Sequence, residues 1–222
     1  MATAMPARAE IEPHDQCVVL RGVGWNGYAT LLRLRSEGRR PKLVYVNGEL
    51  HLVSPSYTHE EFADRLSDLV KTVCVELDLP YKSSRSTTFR QRKKDAGAEA
   101  DASFYLKNAG RIRGLKTLDL RRDPPPDLVI EAVNTHGASV EVWRRFGVPE
   151  VWVADASRVQ ILAVQDDGRY LEVTNSVAFP SLAAAEVFDW MTREVGESDT
   201  DWIKAVRAWA RDVLLPRAKG GE

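Results

Sequence analysis

Between the prolines Pro124 to Pro126 and the break Asn134-Thr135-His136-Gly137 runs DLVIEAV, residues 127–133, an almost uninterrupted apolar stretch. A strand of that composition has no face to show to water, so it belongs at the centre of a sheet covered on both sides. Glu131 stands in the middle of it. A buried carboxylate needs a partner or a metal ion, and the neighbouring residues offer no lysine.

The covering helices are legible around it. Phe62, Leu66, Leu69, Val70, Val73 and Leu77 line one face of a helix predicted from about His59 to Leu77. Thr58 as N-cap with Glu61 three residues on makes a capping box, and Tyr57 is placed to staple onto Phe62. WNGYATLLRLRSEG reads as a short helix ending near Gly38, and CVVLRGV as a first strand. KLVYVNGELHLVSP is a hairpin, strands Leu43 to Val46 and Glu49 to Val53 about Asn47-Gly48, with Glu49 exposed. Strands follow at PYKSS and STTFRQR, then a polar break at QRKKDAGAE, a strand at ADASFYL and a loop or short helix up to the prolines. SVEVWRRFG is helical and closed by Gly147; VPEVWVAD, RVQILAV and RYLEVTN form an antiparallel meander. Two helices end the chain, one from near Ser181 and one carrying Trp202, Val206, Trp209 and Val213 on a stripe expected to pack on the domain. The order predicts an α/β fold, an α+β mixed sheet flanked by helices. Residues 1–16 read as a disordered start, 17–195 as one domain and 196–222 as a C-terminal helical extension.

With 31 Lys and Arg against 32 Asp and Glu, the charge total does not announce a nucleic-acid binder, though it is compatible with a local basic patch. Cys17 and Cys74 are too few for a disulfide framework or a cysteine zinc site, which suits a reducing cytoplasm. No apolar run approaches the ~18 residues of a membrane span, and the start has no apolar signal core, so neither insertion nor export is expected.

Asp101 and Glu131 each fall in a predicted strand, and neighbouring strands would bring both carboxylates to one end of a sheet. About 4 Å apart, they would repel by roughly 4 kcal/mol at an effective dielectric of 20. Mg2+ or Mn2+ is one remedy, and such an ion activates water and stabilises charge on a phosphate. Exposure to solvent or an arginine partner is the ordinary alternative. His59 shares the inward stripe of its helix and is a candidate ligand or water-positioning base. FRQRKK, Phe89 to Lys94, sets basic residues beside an aromatic one, as a phosphate contact or a solvated loop; His136 lies in the break after Glu131. Phosphate-cradling glycine loops, G-x-S-x-G and H-E-x-x-H are absent.

VYVNGELHLVSPSYTHEEFADRLSDLV, EADASFYL, PPPDLVIEAVN, WRRFGVPEVWVAD and FPSL resemble, in order and content, the Uma-two family of the PD-(D/E)xK restriction-endonuclease-like superfamily. The resemblance spans about Leu43 to Leu182. It implies a restriction-endonuclease-like core and a divalent-metal-dependent nuclease hydrolysing DNA phosphodiester bonds, with metal held by Asp101 and Glu131 and assisted by His59. Three departures stand out. Ala100 replaces the proline usual before the first acid, Val44 occupies the place of an acid before the hairpin turn, and Val133 and Ser139 fill the positions where the superfamily lysine is expected. Arg144, Arg145, Lys94 and His136 are candidate substitutes, but none has the matching position. The alternative is therefore a catalytically degenerate nuclease-fold protein serving as a nucleic-acid or protein interaction module. DNA is the expected substrate if the site is active, no membrane partner is expected, and a homodimer is left open.

Overall fold

The computed structural model describes residues 15–35, 40–132 and 137–220; residues 1–14, Val133 and His136 lie outside the described residues. Strand β1 (Gln16–Arg21) and helix α1 (Trp25–Arg35) precede the hairpin β2 (Lys42–Val46) and β3 (Glu49–Ser54), then α2 (Tyr57–Glu76), β4 (Lys82–Ser83) and β5 (Thr88–Gln91). A short 3-10 turn leads to β6 (Ala96–Glu99), β7 (Ala102–Tyr105), α3 (Ala109–Ile112), β8 (Leu128–Ala132) and α4 (Ala138–Phe146). After these come β9 (Glu150–Ala154), β10 (Val159–Val164), β11 (Tyr170–Val173), α5 (Ala184–Thr192) and α6 (Asp199–Trp209), which runs through a π-helical turn into α7 (Leu215–Gly220).

The expected mixed sheet is six-stranded, in the order β11-β10-β9-β8-β7-β4, with β8 and β9 its parallel pair. A second, antiparallel sheet stands beside it in the order β1-β3-β2-β6-β5. The chain crosses from one sheet to the other between β6 and β7, and Ala100 and Asp101 are that crossing.

β8 is central, as its composition requires. Leu128 and Ile130 join a core with Leu66, Leu69, Val70 and Val73 of α2 and Trp152 of β9, while Val129 faces Val142 and Trp143 of α4 together with Val44 and Val46 of β2. A third cluster, Tyr28, Leu32, Leu43, Tyr45 and Leu50, seals α1 onto the opposite face of the antiparallel sheet. The stripe on the last long helix packs inward: Trp202 donates its indole N–H to the Trp190 carbonyl at 3.0 Å, and Val206 is fully buried.

Three local expectations need correction. The α2 N-cap is Ser56, whose hydroxyl accepts the His59 backbone N–H at 3.2 Å. Thr58 already lies inside the helix, Tyr57 is 79% exposed rather than stapled, and Glu61 pairs with Arg65 at 3.3 Å. The second concerns AGAE, expected within a polar break, which forms the fully buried β6. Gly97 explains why small residues are wanted there, since a Cβ at that position would run into the Tyr28 ring. Asp15 and Gln16, expected in the disordered start, also belong to the fold: Gln16 opens β1, and the Asp15 side chain is fully buried.

Candidate active site at the crossing between the sheets

Three elements converge on Asp101. Its Oδ2 accepts the Ala132 backbone N–H from β8 at 2.7 Å, so the end of the central strand sets the carboxylate's direction. His59, in the first turn of α2, places Nε2 3.0 Å from Asp101 Oδ1. The Lys42 ammonium, from the start of β2, forms an ion pair with the same oxygen. Glu131 lies one residue past the Ala102–Ile130 pairing, on the neighbouring strand. Its Oε1 accepts the Trp143 indole N–H at 2.5 Å.

The sequence reading misses Lys42 because it lies 59 residues from Asp101 in the chain. A signal was nevertheless present. Strand side chains alternate, so Lys42 shares the β2 face of Val44, the position where the resemblance expects an acid. The residues named as near substitutes act elsewhere: Arg144 and Arg145 both pair with Glu141, at 2.7 and 2.9 Å, and the Lys94 ammonium donates to the Arg145 carbonyl. Ser139 is buried in α4.

Behind His59 stands Asp15. Its Oδ2 is 2.8 Å from His59 Nδ1, and its Oδ1 accepts the Ser56 backbone N–H at 2.8 Å. The imidazole is thus held between two carboxylates, hydrogen-bonded to Asp15 through Nδ1 and within ion-pair distance of Asp101 through Nε2. Lys42 has a further acid, Glu60, at 3.9 Å, itself paired with Arg40 at 2.7 Å.

Burial and charge set the protonation states. Burial raises the Asp101 carboxyl, but His59 and Lys42 outweigh it and hold the group below its ordinary range. Burial works against charge on Lys42 and His59, yet the Asp101 carboxylate keeps both above their usual values, with Asp15 adding to the effect on His59. Glu131 differs. Burial, then the negative charge of Asp101, pushes its carboxyl up to about 8 against the opposing Trp143 bond.

Among the described residues no group of three or more His, Cys, Asp and Glu side chains is arranged to hold a metal ion. The donors present do fit a hard divalent cation in kind. Asp101, at the crossing, and Glu131, on β8, are carboxylate donors with buried side chains, and after burial the Asp101 charge adds to the rise at Glu131, a contribution that a cation would relieve.

The chain matches the model of the Uma2 family, described as "Putative restriction endonuclease", over residues 28–195. Its fold is similar to a solved structure from Anabaena variabilis ATCC 29413, titled as a "putative nuclease belonging to DUF820". The TM-score is 0.51 and the identity 15%, covering 72% of this chain and 96% of that one. Curated proteins give no match. The matched span holds Lys42, His59, Asp101 and Glu131, and it leaves out Asp15 and the helices after α5. With most of its length under the family model, the chain belongs to the Uma2 family.

Proposed function

We propose that this chain is a divalent-metal-dependent nuclease that hydrolyses DNA phosphodiester bonds at the crossing between its two sheets. The observation that carries the reading is the half-buried Lys42 ammonium held against Asp101, beside His59 and Glu131. It supplies the cation that neither Val133 nor Ser139 provides. Asp101 and Glu131 would hold Mg2+ or Mn2+, which when bound polarises the phosphoryl oxygen and acidifies water. His59 orients that water or completes the ligand set, with Asp15 fixing the ring. Lys42 Nζ stabilises the charge that develops on the phosphoryl oxygens, a contribution commonly on the order of 100-fold or more. Two unpaired cysteines suit a reducing compartment such as the cytoplasm.

A plasmid-nicking assay with Mn2+ tests this. The wild type is expected to nick, EDTA to stop it, and Asp101→Ala and Lys42→Met each to lower the rate at least about 100-fold. Nicking that persists in Asp101→Ala would remove the site assignment. One observation favours the second reading, an inert interaction module: Lys42 and His59 already neutralise Asp101, so an ion must compete with them. Calorimetry showing no Mg2+ or Mn2+ affinity in the wild type would decide for that module.

A further inference from the structure

Two solvent-open clefts of about 520 and 550 Å3 share Thr88, Thr117 and Leu118. Together they follow β4 and β5, the edge strands of the two sheets, against the loop that carries Thr117. Lys82, Arg85 and Lys116 line the first cleft, and Arg90, Arg92 and Lys93 the second. All six are exposed, and among the described residues none of them has an ion-pair partner. Asp119, the acid in the lining, is engaged by Arg121 at 2.6 Å.

Elsewhere on the surface Arg21, Arg144, Arg169 and Arg193 each pair with a nearby acid, and other unpaired cations such as Arg158 and Lys204 do not line this channel. On a chain of net charge −1, six uncompensated cations along one channel focus a positive field that the total conceals. Their spacing over two clefts suits an extended polyanion better than a single phosphate. The channel floor is also tied to the segment that carries Asp101. The Ser84 backbone N–H donates to the Ser103 carbonyl at 2.9 Å, and the Thr88 hydroxyl donates to Glu99 at 2.6 Å. Those two bonds tie the cleft floor to the chain on either side of Asp101. Half-buried Trp25 stands in the wall of the second cleft, where an indole face can stack on a base.

We propose that this channel holds the sugar-phosphate backbone of the DNA whose scissile phosphate reaches Asp101 and Glu131. The choice of DNA as the polyanion rests on the nuclease reading, while the channel itself rests on its own cations.

Binding of a short fluorescein-labelled DNA duplex, followed by anisotropy at several KCl concentrations, tests it on the Asp101→Asn protein in EDTA. Arg85→Glu with Lys116→Glu, and separately Arg90→Glu with Arg92→Glu, should each weaken binding at least about tenfold and reduce the log–log salt slope by about two. Among the described residues these cations have no ion-pair partner, so melting temperatures should hold. A remote pair, Arg158→Glu with Lys204→Glu, should change the slope little. Equal loss from the remote pair, or none from the channel pairs, overturns the proposal, as does displacement of the duplex by polyglutamate at equal charge, which would mark an acidic-peptide site. The hydrolytic reading is tested apart, by Mn2+-dependent cleavage of bis(p-nitrophenyl) phosphate, which is too small to span the channel. A wild type that binds DNA but cleaves neither substrate retires the nuclease reading and leaves the channel standing.

Discussion

Glu131 is the residue whose environment opposes it most, because folding puts its carboxyl in an apolar strand beside another negative charge. Its pKa is raised on folding, so the folded state binds the extra proton between the ordinary glutamate range and about 8. Stability of the metal-free protein therefore falls as pH climbs through that window and levels off above it. Glu131→Gln keeps the acceptor for Trp143 and removes the charge, so it should flatten that slope in EDTA and stabilise the protein at pH 8 by about 2 kcal/mol. Thermal melts across pH check this, and identical slopes for both proteins would refute it. Asp15→Asn should lower Mn2+-dependent nicking about tenfold, since outer carboxylates that orient a histidine commonly count for that much. Nitrogen chemical shifts of His59 should then report a changed ring protonation, a response that mere loosening of the fold would not give. Asp101, Glu131 and His59 were readable because each sits in a recognisable pattern. Lys42 and Asp15 were not, because only tertiary structure carries a hairpin strand and a chain start to the same carboxylate.

At the level of elements, the cap of α2 does two jobs. Ser56 closes the helix through its hydroxyl and offers its own N–H to Asp15, so helix start and histidine clamp share one residue. Ser56→Ala should cost about 1 kcal/mol in chemical denaturation, whereas Thr58→Ala should be near neutral; the opposite ranking would restore Thr58 as the cap. Periodicity identified α2 well but not its boundary, because Ser56 and Thr58 are both good caps and only the backbone decides between them. β6 escaped notice for a different reason. Ala96, Gly97 and Ala98 have weak strand propensity, and their burial comes from elements covering both faces, Tyr28 of α1 over Gly97 and α4 over the two alanines.

Across the whole molecule, the last long helix is fastened to α2 by charge as well as by tryptophan packing. Glu76, 8% exposed, accepts Arg207 at 2.6 Å and Arg211 at 3.0 Å. The arginines hold its carboxyl below the ordinary range. A depressed pKa gives stability that is present above the unfolded value and lost as pH falls through the folded one. Glu76→Gln should therefore cost about 1 kcal/mol at neutral pH, the arginines being half exposed, and nothing in strong acid; a constant difference down to low pH would exclude the clamp. The docking of this helix was legible from its stripe of tryptophans, and no helix among the described residues is long and apolar enough to cross a membrane. The division of strands into two sheets was not legible, since strand runs do not name their neighbours.

Asp101 occupies a two-residue bridge whose abutments are separate sheets, with Lys42 mounted on one and Glu131 on the other. The site thus works like a keystone. A small twist of either sheet pulls the ammonium and the two carboxylates apart, and the cluster that Val44 and Val46 share with Val129 is what resists it, so loosening that packing should cost activity along with stability.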